Sequence, residues 1–129
     1  MSSTPELLFV YGTLMRAFEG PYGDLLHKRA TFLGTGRLPG RLYRVAWYPG
    51  AVYDPTTTTS VHGELYRLPH DGGILLRTLD RYEGGEYERR HCPVLRSDGD
   101  TVTALTYLYV ASTAGLATYP DGRFVPEEP

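Results

Sequence analysis

Short apolar or alternating segments, separated by glycine and proline turn signals, make up most of this chain. Its 129 residues include 15 Gly, 10 Pro and 11 Tyr. Glycine and proline interrupt regular structure, whereas tyrosine favours strands. One segment late in the chain has the apolar spacing of a clear helix. This pattern favours an α+β fold in which the sheet curls into a small barrel.

Alternating or continuous apolar patterns predict the strands. They are predicted over Leu7–Tyr11, Thr31–Leu38, Leu42–Val45, Ala51–Tyr53, Val61–Leu68, Tyr87–Leu95 and Val102–Val110. The first is apolar throughout, which is typical of a strand buried on both faces. Pro39-Gly40 predicts a turn between the second and third, and Asp98-Gly99 predicts a hairpin between the last two. Gly63 inside a strand indicates a bulge or the close approach of another backbone, and Pro93 indicates a strand edge or bulge.

The predicted helix covers Ile74–Tyr82, where Leu75 and Leu79 repeat at the spacing of an inward face. Asp71 is its expected N-cap and Gly84 its expected end. A shorter helix is predicted to begin near Pro21 after a loop. We expect a single domain over residues 1–129, with an ordered core of about 6–125 and frayed ends at 1–5 and 126–129.

Charge and composition exclude several classes of function. The formal net charge is −2, with 13 Lys and Arg against 15 Asp and Glu, which predicts no nucleic-acid partner. No segment approaches the roughly 20 apolar residues of a membrane helix, so we expect no membrane partner. Met1–Glu6 lacks the features of a signal peptide. The single cysteine, Cys92, cannot form an internal disulfide, which fits a cytoplasmic protein.

Glu83 is the first candidate for chemistry, because it ends the predicted helix just before Gly84-Gly85. The last turn of a helix carries partial negative charge, which disfavours a carboxylate. Little nearby polarity is present to solvate it, so its pKa should rise toward the range of a general base. An exposed helix-end glutamate without a role is the alternative. Asp80 and Glu86 are rival carboxylates; Asp80 could pair with Arg77 or Arg81, and Glu86 could face water.

The second candidate is the segment Tyr11-Gly12-Thr13-Leu14, which follows the buried first strand. Glycine at this place lets the chain turn sharply and leaves backbone N–H groups directed outward. Such groups bind carboxylates or developing oxyanions. A plain β-turn is the alternative. The segment matches neither the phosphate-loop pattern nor the dinucleotide-binding pattern.

The remaining candidates are weaker. His91 and Cys92 are neighbours on a strand, so their side chains diverge and Cys92 is expected to be buried. His62 and Glu64 share a strand face but do not complete a metal site, and we predict no metal and no cofactor. Several tyrosines could line a pocket: Tyr43, Tyr48, Tyr53, Tyr66, Tyr107 and Tyr109.

Two motifs in this order and separation resemble the γ-glutamylcyclotransferase-like superfamily. They are Phe9–Leu14 and Leu79–Gly84, the latter followed by Tyr87-Glu88-Arg89. Thr13-Leu14 is closer to the γ-glutamylamine cyclotransferase branch than to the glutathione-degrading branches. Intervening segments also fit, and the resemblance covers roughly Leu7 to Val110, whereas Pro120–Pro126 matches loosely. The intervening segments are Gly40–Tyr43, Tyr48–Gly50 and Val61–Tyr66.

This resemblance implies a small mixed, mostly antiparallel β-barrel with flanking short helices. By position, Glu83 matches the catalytic glutamate. Tyr11, Gly12, Thr13 and Leu14 match the loop that holds the α-carboxylate or γ-carbonyl of the substrate. The implied reaction cyclises a γ-glutamyl amine, or a γ-glutamyl-tagged metabolite, to 5-oxoproline and releases the amine. The expected partner is therefore a small γ-glutamyl compound, bound by a monomer or a homodimer.

Two other functions are compatible with the same residues. A non-catalytic protein could bind a small carboxylate or amino acid in the same pocket. An amide-forming or other acyl-transfer role would need a second substrate channel. Glu83 favours the cyclising enzyme, because a pure anion binder gains nothing from a carboxylate that faces its ligand.

Overall fold

A computed structural model describes residues 6–125, which form six strands and two helices. The expected frayed ends, 1–5 and 126–129, lie outside the described residues. The helices are α1 (Pro21–Arg29) and α2 (Gly72–Glu83). The strands are β1 (Leu7–Val10), β2 (Thr31–Arg44), β3 (Pro49–Tyr53), β4 (Ser60–Arg67), β5 (Tyr87–Arg96) and β6 (Thr101–Tyr109).

The six strands form one sheet in the order β1-β4-β2-β3-β6-β5. Additional pairings of β1 with β6 and of β2 with β5 close this sheet on itself. The β1–β6 and β3–β6 pairs are parallel, and the other pairs are antiparallel. The predicted class, an α+β fold with a small mixed, mostly antiparallel barrel and flanking short helices, is therefore confirmed.

Strand β2 corrects the predicted turn at Pro39-Gly40, because it runs without a break through both segments assigned to separate strands. Residues up to Pro39 pair with β4, and residues from Gly40 onward pair with β3. Gly40 has a positive φ of 155°, and a Cβ atom there would collide with the carbonyl oxygen of Val52. Proline and glycine therefore mark the point where one long strand bends and changes partners.

Strand β1 is buried on both of its faces, as its apolar sequence predicts. Phe9 points into one core cluster with Leu38, Leu65 and Val94, which come from other barrel strands. Leu8 and Val10 belong to a second cluster, which lies between the barrel and the helices. In that cluster they meet one residue of α1 and three of α2, namely Leu26, Leu75, Leu76 and Leu79.

The ends of α2 agree only in part with the sequence. Asp71 makes no capping hydrogen bond, which corrects the expected cap, and its carboxylate lies 2.8 Å from Arg29 of α1. At the other end Gly84 has a positive φ of 80° and donates its N–H to the Asp80 carbonyl. The helix therefore ends at Glu83. Within residues 6–125, no helix has the length and hydropathy of a membrane span.

Gly63 confirms the expected close approach of two backbones. A Cβ atom at this position would collide with the carbonyl oxygen of Val10 and lie 2.7 Å from the ring of Phe9. Val10 pairs with Glu64 across the β1–β4 ladder, so no side chain fits between these strands. The absence of a side chain at Gly63 thus lets β1 reach its place in the barrel.

We expect Gly63→Ala to lower the free energy of unfolding by about 2 kcal/mol or more, because overpacking displaces the β1 backbone. Urea denaturation measures this change. Gly73→Ala is the matched control, since nothing lies within 4 Å of a Cβ atom there. It should leave stability unchanged or raise it by up to about 1 kcal/mol, because alanine favours helix. Equal unfolding midpoints for the two variants would contradict the close approach at Gly63.

Candidate active site

The chain that follows β1 opens onto a cavity of about 230 Å³. The carboxyl end of β1, the end of α2 and the start of β3 all contribute to its wall. Its lining consists of Phe9, Val10, Tyr11, Gly12, Thr13, Leu14, Trp47, Tyr48, Pro49, Tyr82, Glu83, Tyr87 and Tyr107. The structure therefore brings Glu83 together with the four residues Tyr11–Leu14, which are far from it in sequence.

Direct contacts hold these two segments together. The Thr13 hydroxyl shares a 2.5 Å hydrogen bond with the hydroxyl of Tyr82, the residue next to Glu83. The Tyr82 ring packs against Tyr22 of α1 at a centroid distance of 4.6 Å. On the other side of the turn, His27 Nε2 lies 2.7 Å from the Leu14 carbonyl oxygen. Both helices thus fix the position of the turn.

The turn leaves backbone donors available at the cavity. Its own hydrogen bond runs from the Met15 N–H to the Gly12 carbonyl at 3.1 Å. In the part of the chain that the structure describes, the N–H groups of Gly12, Thr13 and Leu14 have no acceptor. Gly12 and Leu14 are buried residues, and buried N–H groups normally have partners. These donors are therefore suited to an anionic or carbonyl oxygen of a ligand.

Gly12 is required by the approach of β3. A Cβ atom at this position would lie 2.9 Å from Cγ of Pro49, which also lines the cavity. Real Cβ contacts are longer than this, so a side chain would push the turn away from Pro49. The absence of a side chain at Gly12 thus lets the turn lie directly against the start of β3.

Tyr11 uses its hydroxyl within the barrel. The hydroxyl donates to the Tyr107 carbonyl at 2.5 Å and accepts the Ala51 N–H at 3.1 Å. Burial, with a smaller contribution from the Glu83 charge, raises the pKa of Tyr11 well above its ordinary value. The hydroxyl therefore stays neutral and connects β1 to β6 and β3. What Tyr11 offers to a ligand is its ring and main chain.

Glu83 has the electrostatic character of a general base. Burial raises its pKa from 4.5 to about 7. Among residues 6–125 its carboxylate has no hydrogen-bond or ion-pair partner, so no cation restores the ordinary value. Of the two causes expected from the sequence, poor solvation is the one that raises the pKa here. A carboxylate with a pKa near neutrality can both take and return a proton.

The rival carboxylates have other partners. Both oxygens of Asp80 lie 3.0 Å from Nη1 of Arg89, and one accepts the Tyr107 hydroxyl at 2.7 Å. This corrects the expected pairing with Arg77 or Arg81, because α2 faces β5 and β6 at this point. Glu86 is exposed, as expected, and accepts the Tyr48 hydroxyl at 2.8 Å. Glu83 is therefore the one carboxylate among the residues that line the cavity.

Aromatic residues supply most of the remaining wall, and sequence reasoning identified only some of them. Tyr48 and Tyr107 line the cavity as predicted. The other four predicted tyrosines do not line it, namely Tyr43, Tyr53, Tyr66 and Tyr109. Trp47, Tyr82 and Tyr87 were missed as lining residues. Tyr82 precedes Glu83 directly, and that adjacency is the signal that could have identified it.

Tyr87 connects the start of β5 to β3. Its hydroxyl donates to the Pro49 carbonyl at 2.6 Å, and its ring packs against Tyr109 at a centroid distance of 5.6 Å. Burial is the largest cause that raises the pKa of Tyr87, followed by the charges of its neighbours. Tyr87 therefore presents a neutral aromatic surface to the cavity.

The weaker candidates stay outside this site. Cys92 is buried, whereas His91 is exposed with its Nε2 atom 3.2 Å from Glu6, so the two side chains diverge as predicted. Glu64 accepts the Arg16 N–H and the Tyr66 hydroxyl, each at 2.9 Å. Across residues 6–125, no three His, Cys, Asp or Glu side chains are grouped as metal ligands would be.

The sequence identifies the family of the chain. Residues 8–126 match the family described as gamma-glutamyl cyclotransferase, AIG2-like. The match covers more than half of the chain, and the chain belongs to this family. No curated protein sequence matches the chain closely enough to count as a relative.

Solved structures share the fold of this chain. An AIG2-like protein from Mus musculus is 26% identical with a TM-score of 0.72, over 98% of this chain and 99% of the mouse chain. The ytfP protein of Escherichia coli is 30% identical with a TM-score of 0.64, over 92% and 96%. YkqA from Bacillus subtilis is 22% identical with a TM-score of 0.73 over 93% of this chain, which spans 39% of the Bacillus protein.

We expect the raised pKa of Glu83 to make stability depend on pH. Between pH 4.5 and about 7, Glu83 is protonated in a larger fraction of the folded molecules than of the unfolded molecules. The contribution of Glu83 to the free energy of unfolding therefore falls as pH rises through this window. One pKa unit is about 1.4 kcal/mol, and partial exposure reduces the effect, so we expect a loss of about 2 kcal/mol.

Urea denaturation of the parent and of Glu83→Gln at pH 5 and pH 8 measures this loss. The variant should gain stability relative to the parent at pH 8. Glu88→Gln is the matched control, because Glu88 is exposed and Arg90 lowers its pKa. A constant difference between Glu83→Gln and the parent at both pH values would contradict the raised pKa.

Proposed function

We propose that this protein is a γ-glutamyl cyclotransferase that converts a γ-glutamyl amine, or a γ-glutamyl-tagged metabolite, to 5-oxoproline and the free amine. One observation carries the proposal: a carboxyl group with a pKa of about 7 shares a cavity with three backbone N–H groups that lack an acceptor in the described chain. A base and a set of oxyanion donors are what this ring closure needs.

The cavity suits the glutamyl part of such a substrate. None of its lining residues is Lys, Arg or His, so uncharged donors would hold a carboxylate or carbonyl oxygen. We assign this role to the N–H groups of Gly12, Thr13 and Leu14, which have no acceptor among the described residues. Tyr11 and Tyr107 are joined by a hydrogen bond and form a rigid wall. When these N–H groups hold an oxygen of the substrate, the substrate α-ammonium faces Glu83. The leaving amine then points toward the mouth of the cavity.

The reaction then needs one proton carrier. Glu83 accepts a proton from the α-ammonium, and the freed nitrogen attacks the γ-carbonyl carbon. A new C–N bond closes the five-membered ring, and the N–H groups stabilise the oxygen that becomes negative. The tetrahedral intermediate breaks the bond to the leaving nitrogen. Protonated Glu83 gives its proton to that nitrogen as the bond breaks. The regenerated carboxylate then takes the remaining extra proton from the ring nitrogen and passes it to the released amine or to water. The products are 5-oxoproline and the amine.

The substrate itself supplies the proximity, because nucleophile and carbonyl belong to one molecule. The protein therefore has to fix one conformation of the glutamyl chain and place the base beside it. The Thr13-Leu14 form of the turn and the lack of a cationic side chain in the lining favour a γ-glutamylamine substrate. A leaving group that carries a carboxylate close to the scissile bond would find no positive partner there.

We expect Glu83→Gln to lower kcat/KM by about 10²- to 10⁴-fold, because the amide cannot accept the proton. The assay is 5-oxoproline release from a panel of γ-glutamyl amines, with circular dichroism to confirm that the variant is folded. Glu88→Gln removes one exposed carboxylate outside the cavity and should keep the parent rate. A folded Glu83→Gln variant that turns over at the parent rate would refute the role of Glu83.

The same panel tests the alternative function. If γ-glutamyl amines bind but none releases 5-oxoproline, the protein is a small-molecule binder that uses the same pocket. Release of 5-oxoproline by the parent and its loss in Glu83→Gln would establish the cyclising enzyme.

We also expect kcat/KM to rise with pH, with a midpoint at about pH 7. This is the pKa of Glu83 in the protein without substrate. Below this pH the protonated carboxyl cannot take the ammonium proton. A pH profile of kcat/KM for one good substrate measures this midpoint. A midpoint near the ordinary glutamate pKa of 4.5 would contradict the raised pKa of Glu83.

A further inference from the structure

A second cavity, of about 650 Å³, shares no lining residue with the first. Its wall comes from β2, β4, the end of β5, the loop after the Tyr11–Leu14 turn and the segment after β6. Four basic residues are part of this lining, namely Arg37, His62, Arg96 and Arg123. The first cavity has no basic residue in its lining, so the two cavities differ in charge. We call the second one the basic cavity.

Three of these basic residues are brought together by backbone contacts. Arg37 of β2 pairs directly with His62 of β4, so their side chains leave the same face of the sheet. The His62 N–H donates to the Gly122 carbonyl at 2.8 Å, which places Arg123 beside β4. A Cβ atom at Gly122 would collide with the carbonyl oxygen of Ser60, so this segment lies directly against the strand.

The charges of Arg37 and Arg123 are not neutralised by an ion pair. Among residues 6–125 neither guanidinium has a hydrogen-bond acceptor or an ion-pair partner. Burial, followed by the charges of Arg123 and Arg37, lowers the pKa of His62. Asp121 opposes this change with a smaller effect, and its carboxylate accepts the Arg123 N–H at 3.3 Å. Positive charge therefore dominates around His62.

The other charged residues of the lining have partners within the protein. Nε of Arg96 lies 3.5 Å from the Asp98 carboxylate in the β5–β6 hairpin. Glu64 is the one acidic residue of the lining, and it accepts the Arg16 N–H and the Tyr66 hydroxyl. The three basic residues that the backbone brings together are therefore the ones available to a ligand.

An aromatic pair forms an apolar part of the same wall. Phe18 and Phe124 both line the basic cavity, and their ring centroids are 5.2 Å apart. Phe124 is buried and Phe18 is half-buried. A concave surface that combines apolar side chains with a few charged groups is typical of a small-molecule site.

We propose that the basic cavity binds a small molecule that carries a phosphate or carboxylate group. Arg37, His62 and Arg123 hold this oxyanion group, since guanidinium N–H groups match the oxygens of phosphates and carboxylates. The apolar part of the molecule packs against Phe18 and Phe124. This site goes beyond the proposed function, which uses only the first cavity.

Four probes test the chemistry of the site in calorimetric titrations, namely phenyl phosphate, benzoate, inorganic phosphate and benzyl alcohol. We expect phenyl phosphate or benzoate to bind at least about 10-fold more tightly than benzyl alcohol, because a charged oxygen group pairs with the arginines. Comparison of the first two probes distinguishes a phosphate ligand from a carboxylate ligand. The better of the two should also exceed inorganic phosphate, which lacks the apolar part. Equal affinities for charged and uncharged probes would overturn the proposal.

Arginine variants locate the bound probe. Arg37→Gln and Arg123→Gln should each weaken binding of the better probe by about 5- to 10-fold, as expected for a lost charge-assisted contact near the surface. Arg77→Gln is the matched control, because Arg77 is exposed on α2 and lines neither cavity. It should keep the parent affinity. Circular dichroism confirms folding, and unchanged affinity in both cavity variants would overturn the site.

Proton NMR of the imidazole groups gives a second, independent readout. The chain has four histidines, and His62→Gln assigns the resonance of His62. The bound anion should raise the pKa of His62 and leave those of His27, His70 and His91 unchanged, because the opposite charge lies beside His62 alone. An unmoved His62 titration with a saturating probe would overturn the site.

Glu83→Gln keeps this test separate from the proposed cyclisation. That variant should bind the probe as tightly as the parent, because Glu83 does not line the basic cavity. Loss of binding in Glu83→Gln would place the probe in the first cavity and overturn the second site. A parent that binds the probe at Arg37 and Arg123 but releases no 5-oxoproline would overturn the proposed reaction alone.

Discussion

The double pairing of β1 is the constraint on which the rest of the molecule depends. This strand pairs antiparallel with β4 and parallel with β6, and both of its faces are buried. The pairing closes the barrel, and Gly63 makes room for it. Because β1 is enclosed on all sides, the chain that leaves it at Gly12 is also buried. Backbone N–H groups of that turn therefore lie inside the protein without an acceptor among the described residues.

Two carboxylates one turn apart on α2 have different surroundings and therefore different properties. Asp80 is fully satisfied by Arg89 and the Tyr107 hydroxyl, so it joins α2 to the barrel. Glu83 lies beside the cavity without such partners, and burial raises its pKa to about 7. Local hydrogen bonding, and not the residue type, distinguishes the carboxylate that joins two elements from the one that faces the cavity without a partner among the described residues.

Local sequence patterns predicted most elements of the fold, and the two segments that they singled out, Tyr11–Leu14 and the end of α2, line one cavity. The apolar run of β1, the inward face of α2 and the glycine at its end depend on neighbouring residues, which a sequence displays directly. Pro39-Gly40 was misread as a turn, because the same dipeptide can bend a strand that changes partners. The actual partners of Asp71 and Asp80 come from Arg29 and Arg89 on other elements, and no local pattern encodes such contacts.

The aromatic wall was harder to predict for the same reason. Tyr48 and Tyr107 line the cavity while Tyr53 and Tyr109 do not, although all four lie on or beside strands of similar character. Tyr107 and Tyr109 are two residues apart and share one face of β6, so alternation along the strand does not separate them. What separates them is the register of β6 and the position along it that meets the cavity. Those quantities become visible only when the sheet is closed.

The hydroxyl bridge between Thr13 and Tyr82 has a mechanical consequence. It joins the Tyr11–Leu14 turn to the helix that carries Glu83, so the two walls of the cavity are held together without a ligand. In general, donor groups that are fixed in place before a ligand binds cost no reorganisation when charge develops on it. A pocket whose two walls are already joined does not have to assemble around its ligand.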